Sequence, residues 1–394
     1  MGDINWKADI GLEPSIPQID WGALKDYAIS IKYGPHQNHL NPSERRALKC
    51  EIPPIYSMGG LHLVRLLAFE DGVKWVARIQ LQEATPDSKS RLLSEMHTLS
   101  LIRERTDIPV PKVFGYYTCQ ERVGRVFMIM EFIPGSTAMN AFSGPEAHTR
   151  EIPPRYKAKF YNDIADIQAT MASIRFPKIG LVSQLEDGSY DIGPVPGLGG
   201  PFETAQEYFT AWAQAVRFST GEDAIRSQVP PDLADGLILS IRQFPTQFKE
   251  ALNRLSISTG PFPLYHPDFY HSNIIIDNAC NILSVIDWDG AGTVPWEVVQ
   301  FPMFLYTVPP PIDLPSKYDH KGYPVIAEIQ ERWKERREYV ECVKEAEGKK
   351  ALDSKLSTIL ASHEAQNLAT SIRLYKEDGK VGYYCRLLRT TDAR

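Results

Sequence analysis

Residues 264–290 read LYHPDFYHSNIIIDNACNILSVIDWDG, so two histidines, four aspartates and three asparagines crowd one short segment between apolar runs. His266, Asp268 and Asn273 form the pattern HxDxxxxN, and Asp287 follows in IDWD. The apolar runs Ile274–Ile276 and Leu283–Ile286 read as two short strands turning through Asp277-Asn278. A hairpin brings its two ends together, so Asn273 and Asp287, just outside those ends, become neighbours. Two oxygen donors side by side suit a hard cation such as Mg²⁺, with phosphate oxygens and water completing its octahedron. Asp268, one loop turn upstream, is placed to accept a proton from an attacking hydroxyl or to orient it.

The elements that must position these groups begin at Ile55. In SMGGLHLVRLLAFEDGVKWVARI the apolar runs 61–69 and 73–79 flank Glu70-Asp71-Gly72, an Asp-Gly hairpin signal, and Gly59-Gly60 precedes the first run. Over Ser88–Arg105, Leu92, Leu93, Met96, Leu99, Leu101 and Ile102 recur at helical spacing, and Ile108-Pro109-Val110-Pro111 stops that helix. VFGYYTC (113–119) and RVFMIMEFI (125–133) give two more strands, closed by Pro134-Gly135. Strand, strand, helix, strand, strand makes a small lobe on an antiparallel sheet. Beyond Pro154 the pattern turns helical, with Phe160, Ile164, Ile167 and Met171 on one face of 156–173 and a further helix over 204–216. The Gly- and Pro-rich loop 192–208 fits either a substrate-facing segment or a plain surface connection. A charged stretch, 325–347, reads as a solvated outer helix with Glu328 four residues ahead of Arg332.

On these residues the chain resembles the aminoglycoside phosphotransferase and choline kinase group, relatives of the protein kinases. HxDxxxxN followed by IDW resembles the catalytic loop and metal-binding segment. Gly59-Gly60 resembles the phosphate-covering glycine loop, WVARI the strand bearing the phosphate-anchoring base, Glu95 in RLLSEMHTLSLI its helix partner, and MEFIPG (130–135) the adenine hinge. The phrases GGLHLVRLLAFEDGVKWVARI, IPVPKVFGY, IPGST and GGPF look most like the fungal branch of aminoglycoside-phosphotransferase-like proteins. The likeness spans about residues 55–310, with its elements in the family's order.

The resemblance implies an α+β, protein-kinase-like bilobal fold: an extension over 1–50, a small antiparallel nucleotide-binding lobe over 51–133, and a larger mainly helical lobe over 134–394 holding the catalytic loop and acceptor pocket. It implies a transferase using ATP and Mg²⁺ on a hydroxyl of a small molecule. Asp268 would be the catalytic base, and Asn273 and Asp287 the magnesium ligands. Gly59, Gly60, Arg78, Glu95, Glu131 and Ile133 would bind nucleotide, and His266 would brace the loop. Phosphoryl transfer needs alignment and charge neutralisation more than covalent help, and those residues supply both. The family pattern is broken at Arg78, where most kinases carry Lys: charge is kept, but reach and geometry change. Tyr270, His271 and His62 also depart from it, and Asp289 is an extra carboxylate, read as a neighbour of the metal ligands, as a ligand for a second ion, or as a solvated group.

Bulk properties narrow the field. The chain has 394 residues, 43% hydrophobic and 23% charged, which fits a globular protein of two packed lobes. A net charge of −6 gives no overall electrostatic case for nucleic acid or an anionic membrane surface. The five cysteines are scattered without CxxC spacing, which fits reduced cytosolic thiols. The N-terminus reads as neither a secretory signal nor a myristoylation site, and no window is apolar enough to span a membrane. A cytoplasmic enzyme with no nucleic-acid or membrane partner is expected. Two rival readings remain: a degenerate kinase fold serving as a binding or regulatory module, and the same fold recruited to non-phosphoryl biosynthetic chemistry. Neither the acceptor nor the oligomeric state is legible.

Overall fold

A computed structural model describes residues 6–8, 19–34, 49–143, 151–252, 259–313 and 315–389. The chain divides into two compact units, residues 1–151 with 271–290, and 152–270 with 291–394. Much of the expected 1–50 extension lies outside the described residues.

In the first unit, helix α1 (Trp21–Tyr33) starts where the Asp20 side chain accepts a hydrogen bond from the Ala23 amide at 2.9 Å. Strands β1 (Ile55–Met58), β2 (His62–Phe69), β3 (Lys74–Gln80), β4 (Val113–Tyr117) and β5 (Phe127–Glu131) form an antiparallel sheet in the order β1-β2-β3-β5-β4. The expected Asp-Gly hairpin joins β2 to β3, with Gly72 at φ 81°, a left-handed conformation that glycine adopts without strain. Strand β1 shows no alternation of buried and exposed residues that would mark it in the sequence.

Alternation along β3 decides what faces where. Trp75, Ala77 and Ile79 belong to a core shared with Leu24 and Ala28 of α1, which leaves Arg78 on the opposite face. Helix α2 (Pro86–Arg105) begins with a capping box between Thr85 and Ser88. Its buried residues include Ser94, Glu95 and Thr98 as well as Leu99, Leu101 and Ile102. Part of the surface it buries is therefore polar, which hydrophobic spacing alone does not show.

The hairpin of β7 (Ile274–Ile276) and β8 (Ile282–Val285) also belongs to this unit, paired through Ile275↔Thr137 and Ile276↔Ser136 with β6 (Ser136–Thr137). The expected boundary at residue 133 assigned this hairpin to the helical region instead. The tie is close at Gly135, where a Cβ would sit 2.6 Å from Ile275 Cγ2 and 2.8 Å from the Ile276 carbonyl oxygen.

In the second unit, helix α3 (Pro154–Ser173) buries Phe160, Ile164, Ile167 and Met171, as its periodicity predicted. Helix α4 (Ala205–Ala215) opens with a Thr204–Glu207 capping box. Together with α5 (Pro231–Ala251) it buries an aromatic core that includes Phe209, Trp212, Phe244 and Phe248. A five-stranded antiparallel sheet runs in the order 190–193, 180–184, 292–293, 262–265, 175–176.

Helix α6 (Ala327–Lys349) corrects the expectation of a solvated outer helix, because Tyr339, Val340, Val343 and Ala346 are buried. The Tyr339 hydroxyl donates to Gln168 Oε1 of α3 at 2.7 Å. Arg332 pairs with Glu335 at 2.7 Å rather than with Glu328. Helices α7 (Lys355–Ala361) and α8 (His363–Arg373) follow. Among the described residues, no helix is long and apolar enough to cross a membrane.

Candidate active site

Arg78 sits on a central strand, opposite Val64 on one side and Met128 on the other. Its Nη1 donates to both carboxylate oxygens of Glu95, each at 2.6 Å, and its Nη2 donates to Asp287 Oδ1 at 2.5 Å. The Arg78 and Glu95 side chains are 10% and 4% exposed, whereas that of Asp287 is 45% exposed. One buried cation therefore joins a helix carboxylate to the carboxylate beyond the hairpin.

Burial pushes the Glu95 carboxyl up to about 7; Arg78 pulls it down, while Asp287 and Asp289 add to the rise. Burial also works against the Arg78 cation, but Glu95 and Asp287 more than offset it and its pKa is raised. His62, on β2, is brought down to about 4, first by burial and then by the Arg78 charge, with Asp287 opposing. It is neutral near pH 7.

The hairpin brings Asn273 beside the end of the second strand. Ile274 pairs with Val285, and the Ile286 amide donates to the Asn273 carbonyl at 2.9 Å, so Asn273 lies beside the residue that precedes Asp287. Asn273 is 8% exposed and closes a short 3₁₀ turn, His271–Asn273. Asp287 adopts φ 62°, a left-handed conformation that Asp tolerates better than most residues. At the other end Asp277 is the turn residue, its Oδ1 accepting from the Ala279 and Asn281 amides at 2.9 and 2.8 Å.

Among the described residues no group of three or more His, Cys, Asp and Glu side chains could hold a metal. One exposed carboxylate and one amide fit Mg²⁺, which commonly takes one or two protein oxygens and completes its shell with phosphate and water. That donor set does not fit a caged structural ion.

Asp268 belongs to the second unit. It is exposed, and its amide donates to Nδ1 of the fully buried His266 at 3.2 Å. His266 thus braces the loop backbone, the part expected of it. Trp288 is a core residue, fully buried with its indole N–H on the Val285 carbonyl at 3.0 Å.

Gly59 and Gly60 lie in the exposed turn joining β1 to β2, where a Cβ at either position meets nothing within 4 Å. Glu131 ends β5, its amide and carboxylate bonded to the Lys112 carbonyl and amide at 2.8 and 3.1 Å. Ile133 lies in the stretch without regular secondary structure that follows.

A cavity of about 60 Å³ is lined by His62, Arg78, Arg91, Glu95 and Asp289, among others. It is far below the roughly 300–1,000 Å³ of ordinary ligand pockets. Asp289 thus adjoins the Arg78 cluster instead of being a remote solvated group. Arg91 was not singled out in the sequence, since one cation on an amphipathic helix carries no signal of its own.

The sequence profile of a family described as "Phosphotransferase enzyme family" matches residues 59–296, a span holding every one of the expected site residues. No curated protein matches the sequence significantly. Among solved structures, a candidate aminoglycoside phosphotransferase from Ralstonia eutropha is 14% identical, with 95% of each chain covered and a TM-score of 0.48. A type I macrolide 2'-phosphotransferase is 16% identical, covering 93% of this chain and 94% of its own, with a TM-score of 0.41. A thermostable mutant of aminoglycoside phosphotransferase APH(4)-Ia, in ternary complex with ADP and hygromycin B, is 14% identical over 89% of this chain and 97% of its own, with a TM-score of 0.44. Likeness of that degree carries no statement about this chain's substrate.

Proposed function

The chain belongs to the phosphotransferase enzyme family, and from that premise we propose that it is a small-molecule kinase moving the γ-phosphoryl group of ATP to a hydroxyl of a metabolite. The observation that carries this reading is the buried Arg78–Glu95 pair with its second arm on Asp287. A guanidinium fixed at that point is preorganised for phosphate oxygens, with no side-chain ordering left to do on binding. Gly59 and Gly60 let the turn backbone approach the phosphates, and Glu131 and Ile133 offer the adenine a backbone edge.

Asn273 and Asp287 would hold Mg²⁺, which when bound neutralises charge on the β- and γ-phosphates. Asp268 accepts the acceptor hydroxyl's proton as the new O–P bond forms and the bond to the ADP oxygen breaks. His266 positions Asp268 through its backbone amide. The sequence phrases already quoted support placement near the fungal aminoglycoside-phosphotransferase-like branch. Five free cysteines, three of them buried, fit a reducing cytosol.

The test is a screen of purified protein with Mg·ATP against hydroxyl-bearing metabolites, read by product mass. Phosphate adducts that disappear in Asp268→Asn support the reading; a metabolite changed without a phosphate adduct points to non-phosphoryl chemistry. One observation favours a second reading, a nucleotide-binding module without turnover: Arg78 already holds Oδ1, one of the two carboxylate oxygens of Asp287, and competes with a metal ion for that group. Calorimetry separates the two. A kinase binds Mg·ATP more tightly than metal-free ATP, and Arg78→Lys alters its nucleotide KM, whereas the module binds ATP equally with and without metal.

A further inference from the structure

The second unit contains a cavity of about 310 Å³ between α6, the segment 301–310 and the α7–α8 turn. Its volume is at the lower end of the range for small-molecule sites. None of its lining residues is a member of the phosphoryl-transfer constellation. Phe301, Trp333, Val340 and Leu360 give it apolar walls.

Two polar groups among the lining residues, Arg336 and Gln366, bear on what the cavity could take. Arg336 donates from Nε to the Leu305 carbonyl at 2.9 Å, and its guanidinium stands 4.5 Å from the centre of the Phe301 ring. No carboxylate pairs with it among the described residues. Burial brings its pKa down to about 10, the neighbouring Arg332 charge adding to the fall. A guanidinium held partly out of water without a counter-ion is unfavourable, and an incoming carboxylate relieves this with two parallel hydrogen bonds.

Gln366 is the second such group, at 3% exposure. Its Nε2 donates to the Val299 and Ile359 carbonyls at 2.9 and 3.2 Å, which fixes which end of the amide is oxygen. That oxygen is buried with no hydrogen-bond partner; it only accepts, so a carboxylate leaves it unsatisfied and the case for an anion rests on Arg336. At the mouth, Arg337 and Lys344 add positive charge, part of it tied up by Glu341, 2.7 Å from Lys344 Nζ. The only charged group lining the cavity and set against an anion is therefore already paired.

We infer that this cavity is a second ligand site, for an organic anion whose carboxylate meets Arg336 and whose apolar body lies against Phe301, Val340 and Leu360. Its floor is not isolated from the chemistry: the Met303 amide, within the same 301–310 segment, donates to the carbonyl of Phe269, the residue after Asp268, at 2.9 Å.

The test titrates full-length protein, without nucleotide, with 3-phenylpropanoate, indole-3-acetate and decanoate, and with the neutral amide of each. Binding is read by calorimetry and by the thermal midpoint. The expected result is saturable binding and a raised midpoint with at least one carboxylate, its amide at least tenfold weaker. In Arg336→Gln that preference is lost, and in Leu360→Trp, which fills the cavity, carboxylate and amide both lose binding. Should either variant fail to fold, the comparison of carboxylate with amide on the unmodified chain still decides. Equal binding of the two, no saturable binding by any of the three acids, or unchanged carboxylate binding in a folded Arg336→Gln overturns the inference.

Discussion

Nη1 of Arg78 lies 2.6 Å from both carboxylate oxygens of Glu95, and both side chains are nearly withdrawn from solvent. Attraction to Arg78 offsets only part of what Glu95 lost in leaving water, so the pair adds little net stability, yet removing one partner strands the other. Glu95→Gln is therefore expected to destabilise the chain by about 3–5 kcal/mol in urea unfolding. The double variant Arg78→Met, Glu95→Leu should lose less than Glu95→Gln alone. If the single variant loses under about 1 kcal/mol, the pair is no more than an ordinary surface ion pair.

The pH dependence of stability separates His62 from Glu95. His62 titrates near 4 when folded and near 6.5 when unfolded, so its contribution is complete above about 6.5 and is lost as pH falls toward 4. Glu95 runs the other way: folded near 7 and unfolded near 4.5, it contributes below about 4.5 and loses that contribution as pH rises to 7. Between about 4.5 and 6.5 the two oppose each other. His62→Gln should remove one side and leave a stability that falls with rising pH relative to the parent, by up to about 1.4 kcal/mol per pH unit for one proton. Denaturant midpoints across pH 4.5–6.5 in EDTA check this, and parallel profiles would contradict it.

The hairpin and the strand that carries Arg78 were legible because each rests on local signals: Asp-Gly at 71–72, Asp277 in a turn, and apolar alternation around Trp75 and Ala77. Glu95 was legible only through its place in a family pattern, since no periodicity marks a carboxylate as buried, and the geometry of α2 set it under Arg78. The Arg78–Asp287 contact spans 209 residues and leaves no trace in spacing. The burial of helix α6 is not legible because its charged composition hides a narrow stripe of Tyr339, Val340 and Val343, which packing against α3 makes the decisive part. Strand β1 is four residues of mixed polarity, and pairing with β2, not its own pattern, defines it.

Asp268 and Asp287 should fail in different ways. Asp268→Asn keeps size and removes proton acceptance, so kcat is expected to fall about 10²–10⁴-fold with the ATP KM little changed. Asp287→Asn removes charge from the proposed magnesium site, so the Mg²⁺ needed for half-maximal rate should rise. Initial rates over an Mg²⁺ series, with any acceptor found by screening, distinguish the two. A metal requirement unmoved in Asp287→Asn would remove that residue from the site.

Glycine positions offer a contrast that depends on geometry alone. At Gly60 a Cβ meets nothing within 4 Å, so Gly60→Ala should leave the thermal midpoint close to the parent's, and any change in nucleotide KM then reports on the turn's approach to phosphate. At Gly135 a Cβ would lie 2.6 Å from Ile275 Cγ2 and 2.8 Å from the Ile276 carbonyl oxygen, the second a backbone atom that cannot rotate aside. Gly135→Ala must therefore push β7 away from β6 or strain the pairing at Ile276↔Ser136. A loss of about 1–3 kcal/mol is expected, as for other overpacked positions. Because β7 leads directly from Asn273, the same variant should raise the Mg²⁺ requirement while Gly60→Ala does not. Equal stability of the two variants would mean that the hairpin is not held at Gly135.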